Sequence, residues 1–175
     1  MSKLIDHLPT PYHKITTPNM STSMTDRREL LLRSATTFCD AVAEQAPRDE
    51  LLNCFTNDRS SIQVLEHGLP GQEAPFIGRQ FRGVEGLDEY MQLLLPEYVT
   101  YKNMAFDDYV VDPEARMVSV RGEGRFTWKL TGQSWNEDFV YLLKFDEEPK
   151  VNNWEIWGDS GALVLARKGM LKSED

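Results

Sequence analysis

Along this chain the spacing of apolar and polar positions changes three times, and each change predicts a different kind of element. From Thr25–Asp26 the period is helical. Leu31, Ala35, Phe38 and Val42 fall on one stripe, and Asp26 followed by Glu29 reads as a capping box that starts the helix. Pro47 ends it and opens a short second helix over residues 48–55, with Leu51, Leu52 and Phe55 inward. Over residues 61–67 the period becomes that of a strand, with Ile62, Val64 and Glu66 on one face and Leu65 and His67 on the other. A loop rich in Gly and Pro follows, carrying Phe76 and Ile77. A third helix then presents Leu87, Tyr90, Met91 and Leu94 on one face and is closed by Pro96. The remainder alternates as four strands, residues 98–111, 116–130, 135–145 and 151–157, joined by turn-forming residues such as Asp112-Pro113-Glu114 and Thr131-Gly132.

This order predicts an α+β domain in which short links make the late strands antiparallel neighbours. The sheet must cover its apolar face with the three helices, and strong curvature would turn it into a cone-shaped barrel with a central hydrophobic pocket. Two strands alternate clearly enough to assign faces. Val118, Val120, Phe126, Trp128 and Leu130 share one face of the second long strand, opposite Ser119, Arg121, Glu123, Arg125 and Lys129. In the third, Glu137 points the same way as Trp135, Phe139, Tyr141, Leu143 and Phe145. Residues 1–23, rich in Pro, Ser and Thr and including His13, read as a flexible tail or an arm docking on a partner subunit. The domain is expected over 24–170, with 171–175 as a C-terminal tail.

Composition narrows the function classes. At 175 residues there is material for one ordinary domain with a real core. A net charge of −9 argues against nucleic acid or an anionic membrane as partner, since both select basic surfaces. No run reaches membrane-spanning length. Cys39 and Cys54 form neither a disulfide framework nor a metal pattern, and they read as small buried side chains of a cytoplasmic protein. No secretory signal is expected from the first residues. The histidines and cysteines are too scattered to predict a metal site, and Gly122 and Gly124 lie within a strand rather than at a phosphate-binding turn.

Two stretches carry a family resemblance. Phe81-Arg82-Gly83-Val84-Glu85-Gly86-Leu87 is similar to an RGxxG start of a helix. Lys150-Val151-Asn152-Asn153-Trp154-Glu155-Ile156-Trp157-Gly158-Asp159, with Ser160-Gly161-Ala162-Leu163 after it, looks like a closing strand that carries Trp and then Asp. Together they resemble the SnoaL-like branch of the nuclear transport factor two-like superfamily, over roughly residues 25–169. The resemblance implies a conical barrel whose mouth takes a small hydrophobic molecule. It also implies relatives such as polyketide cyclases, scytalone dehydratase and ketosteroid isomerase, which use pocket carboxylates, histidines or tyrosines without a metal or organic cofactor. Limonene epoxide hydrolase is a further relative, with an Arg-x-Asp pair and a later Asp. Here Arg121-Gly122-Glu123 lies on the polar face and the later position falls on Ile156, so epoxide hydrolysis is not expected. Homodimers are common in such a family, and the mixed Arg121, Glu123, Arg125 face could be self-complementary.

Four residues are the candidates for chemistry. Asp159 follows the closing strand, where Trp157 and Trp128 would desolvate its carboxylate and raise its pKa towards that of a working base. The same residue could instead cap the turn at 160–163. His67 ends the first strand beside the pocket rim, where it is either an acid or orienting group or a solvated side chain. Glu137 would be a second pocket carboxylate, and Tyr141 would orient a substrate carbonyl or simply pack. Phe76, Tyr90, Met91, Phe126, Trp128 and Trp157 would form the substrate wall. The expected function is a cofactor-free lyase, cyclase or isomerase acting on a hydrophobic oxygenated molecule of the polyketide or terpenoid kind. The alternative is a hydrophobic-ligand carrier or dimeric scaffold, which gains if Asp159 and His67 lie on opposite faces.

Overall fold

The first helix, α1 (Met24–Ala43), begins with a capping box, but one set three residues earlier than expected. Ser23 Oγ accepts from Asp26 N, and the Asp26 carboxylate reaches back to Ser23 N. A cap must stand outside the helix, and Asp26 is already its third residue, so it is the answering acid rather than the cap. The chain is described here by a computed structural model over residues 23–71 and 74–172. The expected N-terminal arm up to residue 22, His13 included, and residues 173–175 lie outside the described residues. Among the described residues no helix is long and apolar enough to cross a membrane.

After α1 come α2 (Arg48–Asn53), β1 (Gln63–Glu66), β2 (Gln80–Arg82) and α3 (Gly83–Gln92). The start of α3 explains its RGxxG-like sequence. Gly83 has φ +69°, a left-handed value that a side chain resists, and a Cβ at Gly86 would come within 3.0 Å of the Phe81 backbone. Pro96 does not end the helix. The turn widens into a π-helix, Leu93–Tyr98, which runs straight into β3 (Val99–Asp112). The missing N–H of a proline is tolerated where the hydrogen-bond ladder is already re-spaced. Then follow β4 (Met117–Trp128), β5 (Ser134–Phe145), β6 (Val151–Trp157) and α4 (Ser160–Arg167).

The six strands form one curved, unclosed sheet in the order β2-β1-β6-β5-β4-β3. All neighbours are antiparallel except β1 and β6, which pair in parallel from Gln63↔Asn153 to Glu66↔Ile156. Hairpin logic fixes only consecutive strands, and β6 returns to β1 after a long excursion. Curvature is concentrated in β3, whose register against β4 slips between Lys102 and Ala105 and again between Asp107 and Val110. Asn103 and Asp108 sit inside these bulges with φ +54° and +52°, a region that Asn and Asp tolerate.

The concave face holds the core, and α1 lies across it with Leu31, Ala35, Phe38 and Val42 all buried. Phe38 meets Phe55, Trp154 and Tyr141 edge to face at 5.1–6.5 Å. The inward residues of β4 and β5 are those the alternation predicts, with one exception. Leu130 is 80% exposed because β4 ends at Trp128 and the chain turns there.

Candidate active site

A cavity of about 60 Å³ lies between the helices and the concave face. Seven aromatic rings line it: Tyr90, Tyr101, Phe126, Trp135, Phe139, Tyr141 and Trp154. Met91, Met104, Leu94 and Leu95 line it as well. A ring compound needs more room than this, so binding one requires flexible methionine and leucine side chains to yield.

Strand parity decides which acids enter. Val64 is fully buried and pairs with Trp154, and Glu66 pairs with Ile156, so Glu66 follows Val64 inward. Its Oε2 accepts from the Tyr90 hydroxyl at 2.8 Å, and Tyr90 is itself 1% exposed. Burial is the main cause that pushes the Glu66 carboxyl up, to about 7; the Tyr90 bond works against it and the charge of Glu137 adds to it. Glu66 is the residue that sequence reasoning placed on the correct face and then passed over in favour of His67.

Glu137 enters from β5 as expected. Trp135 Nε1 donates to its Oε2 at 2.5 Å, and the backbone N–H of Asp159 donates to its Oε1 at 2.6 Å. Burial raises its pKa, the two bonds oppose the rise, and the nearby Asp159 charge reinforces it. Both oxygens are held, so the carboxylate has a fixed orientation. Gly158 makes this possible, because a Cβ at that position would overlap Glu137 Oε1.

Asp159 borders the cavity from its exposed mouth. Its Oδ1 accepts from Gly161 N at 2.8 Å and Ala162 N at 3.2 Å, which makes it the N-cap of α4. The side chain is therefore engaged in capping, and the backbone of the same residue anchors Glu137. Asp159→Ala is expected to cost about 1 kcal/mol of stability by removing the cap, read as a lowered midpoint in urea, with Asp159→Asn close to wild type.

The other expected residues divide. Tyr141, Tyr90, Met91 and Phe126 line the cavity. Tyr141 makes no hydrogen bond to another described residue, so its hydroxyl is available to a ligand. Phe76 and Trp128 are fully buried but stand behind the wall. Phe76 packs edge-on against Tyr90, and Trp128 stacks on Tyr98 at 5.3 Å. Trp157 is 52% exposed on the convex face. The reason is again parity: Trp154 and Ile156 point inward, so Glu155 and Trp157 point out. His67 borders the cavity, yet its ring stacks on Trp157 at 3.5 Å and its Nε2 pairs with Glu155 Oε2 at 2.9 Å. Burial would raise the Glu155 carboxyl, but the bonds from His67 and Asn153 outweigh it and leave it below its ordinary range. Asp159 and His67 thus border the same cavity as Glu66 and Glu137, but the Asp159 carboxylate is engaged in the α4 cap and the His67 ring with Glu155 and Trp157. Arg121 lies on the convex face among Asp107, Asp108, Glu123 and Asp138, as the alternation predicts.

No family model matches the chain, and no curated protein does. Solved structures do. The chain is similar to an NTF2-like protein from Burkholderia xenovorans at 20% identity and TM-score 0.62, over 80% of this chain and 97% of that one. It is similar to PrhC from Penicillium brasilianum at 18% identity and TM-score 0.60, over 82% and 95%. BvnE pinacolase from Penicillium brevicompactum matches at 16% identity and TM-score 0.60, over 86% and 99%. At these identities the likeness establishes the fold.

Proposed function

We propose that this chain, which has the NTF2-like fold, is a cofactor-free lyase, cyclase or isomerase of the SnoaL-like kind. Its substrate class would be a hydrophobic, oxygenated ring compound such as a polyketide or terpenoid. The observation that carries the reading is a pair of carboxylates, Glu66 and Glu137, in one aromatic cavity, with Glu66 pushed up to about 7. A proton-transfer group works best when its pKa lies near the operating pH.

In the proposed step, ionised Glu66 takes a proton from a carbon beside a carbonyl. The C–H electron pair moves into a carbon–carbon double bond, and the carbonyl oxygen gains negative charge against the Tyr141 hydroxyl. That hydroxyl stays protonated, since burial holds it well above its ordinary value. Glu66 then returns the proton. Delivery to another carbon is an isomerisation; delivery to a departing hydroxyl releases water and is a dehydration. Glu137 lines the same cavity as the second acid–base group, positioned by Trp135 and the Asp159 backbone. His67, committed to Glu155, takes no part.

The carrier reading has its own support, because Asp159 and His67 are engaged with other groups and the cavity is small. The two differ in a measurable way. An enzyme of the proposed kind accelerates exchange of the α-protons of a cyclic ketone, such as 2-tetralone, in D2O, followed by proton NMR. Exchange at the buffer rate across a panel of cyclic ketones and enones would favour the carrier.

Homodimerisation belongs to the same proposal. Trp157, and Val140 directly across from it, leave an apolar area on the convex face beside the Arg121 cluster, suited to a second copy. Light scattering is expected to give the mass of two chains, and the mass of one at micromolar concentration would contradict it. Cytoplasmic residence, suggested by the free Cys39 and Cys54, is proposed on that basis.

A further inference from the structure

We propose that the cavity is a charge filter: it takes uncharged, oxygen-bearing molecules and turns away carboxylates, phosphates and sulfonates. This deepens the acid–base reading of the same site by naming the charge class of its substrate. Among the described residues three acids line the cavity, exposed Asp159 at the mouth and half-buried Glu137 and Glu66, and no lysine or arginine does. The imidazole of His67, the remaining basic group at its border, is held by Glu155 and Trp157 on the convex side.

A helix N-terminus at the mouth would ordinarily attract an anion. Here that attraction is already answered, since the N–H groups of Gly161 and Ala162 at the start of α4 are taken by Asp159 itself. The donor that remains is neutral: Tyr141, in the cavity wall, offers a hydroxyl with no hydrogen-bond partner among the described residues. Neutral donors beside ionised acids suit a carbonyl or hydroxyl lone pair and oppose a full negative charge, because repulsion between like charges is strong where water is excluded. A compound made as an acid or a phosphate would have to be esterified, decarboxylated or dephosphorylated by a preceding enzyme before entering this site.

The test compares two probes of similar size by calorimetric titration at pH 8: acetophenone, which is neutral, and benzenesulfonate, which is an anion at every accessible pH. Wild-type protein is expected to bind the ketone about tenfold more tightly or better. In the double variant Glu66→Gln/Glu137→Gln the gap is expected to shrink to about threefold or less. Glu66→Gln keeps an acceptor oxygen for Tyr90, whereas Glu137→Gln keeps one for only one of its two donors, Trp135 Nε1 and the Asp159 N–H, so a melting curve of the double variant accompanies the titration. Wild type at pH 5.5 is a second measurement that needs no mutation, because protonating Glu66 narrows the gap there too. The proposal is overturned if the sulfonate binds within threefold of the ketone at pH 8, if the gap survives both changes, or if neither probe binds. Proton exchange on ketones reports the chemistry separately, so lost selectivity with intact exchange strikes the filter alone, and the converse strikes the catalytic reading alone.

Discussion

Glu66→Gln is expected to lower proton-transfer turnover about a hundredfold or more while making the folded protein more stable at pH 8. The two effects have one cause. Burial lifts the Glu66 carboxyl from its ordinary 4.5 to about 7, so the folded state holds that proton more tightly than the unfolded chain does. The resulting stabilisation is fully present below pH 4.5 and is lost as pH rises through 7. By pH 8 the ionised carboxylate, facing Tyr90, Tyr141 and the charge of Glu137, has cost the fold up to about 3 kcal/mol relative to acid conditions. Glutamine keeps the Tyr90 contact but cannot ionise. Urea unfolding at pH 5 and pH 8 is expected to show wild-type stability falling over that interval more steeply than the variant's, in which only Glu137 still titrates above its ordinary range in the cavity. Equal pH slopes would refute the burial argument, and unchanged turnover would refute the catalytic one. Activity that depends on ionised Glu66 is expected to rise with pH through about 7.

Gly158→Ala is expected to act on the second carboxylate. The added Cβ would overlap Glu137 Oε1, and the acid is the group free to move. In moving it gives up bonds from Trp135 Nε1 and Asp159 N, leaving two donors without their acceptor. The cost to folding is expected at about 1–3 kcal/mol. Turnover is expected to fall about a hundredfold, since a displacement near 1 Å at a catalytic group can cost that much. A melting curve and a rate measured together check both. A variant that is destabilised but fully active would show that the position of Glu137 does not matter to the reaction.

Much of this was legible in the chain. The stripe of Leu31, Ala35, Phe38 and Val42 and the alternation of β4 and β5 are strong signals, because burial of one face enforces their periods. Glu137 and Tyr141 were located through that alternation. The closing strand misled because Trp157 was read as the wall, whereas Trp154 is the tryptophan that lines the cavity. Glu155 shares the parity of Trp157, and a charged neighbour on that face was the available sign that it looks outward. Glu66 was equally readable: Ile62 and Val64 are β-branched and share its face, whereas His67 follows the less committed Leu65. What no period could supply was the end of β6. Asp159 leaves the strand with φ −85° and ψ 85° to cap α4, so its place at the mouth depends on a local turn rather than on alternation. The parallel pairing of β1 with β6 was hidden for a related reason, since it joins segments far apart in sequence.

The central property of the site is a carboxyl in the cavity that changes charge near neutrality. Carbon-13 NMR of protein labelled at the glutamate side-chain carboxyls, titrated from pH 4 to pH 9 and assigned with Glu66→Gln, observes it directly. The structure predicts a Glu66 midpoint at about 7. A midpoint near the ordinary 4.5 would contradict the account, because such a carboxylate would be solvated and in no position to carry a proton for the reaction.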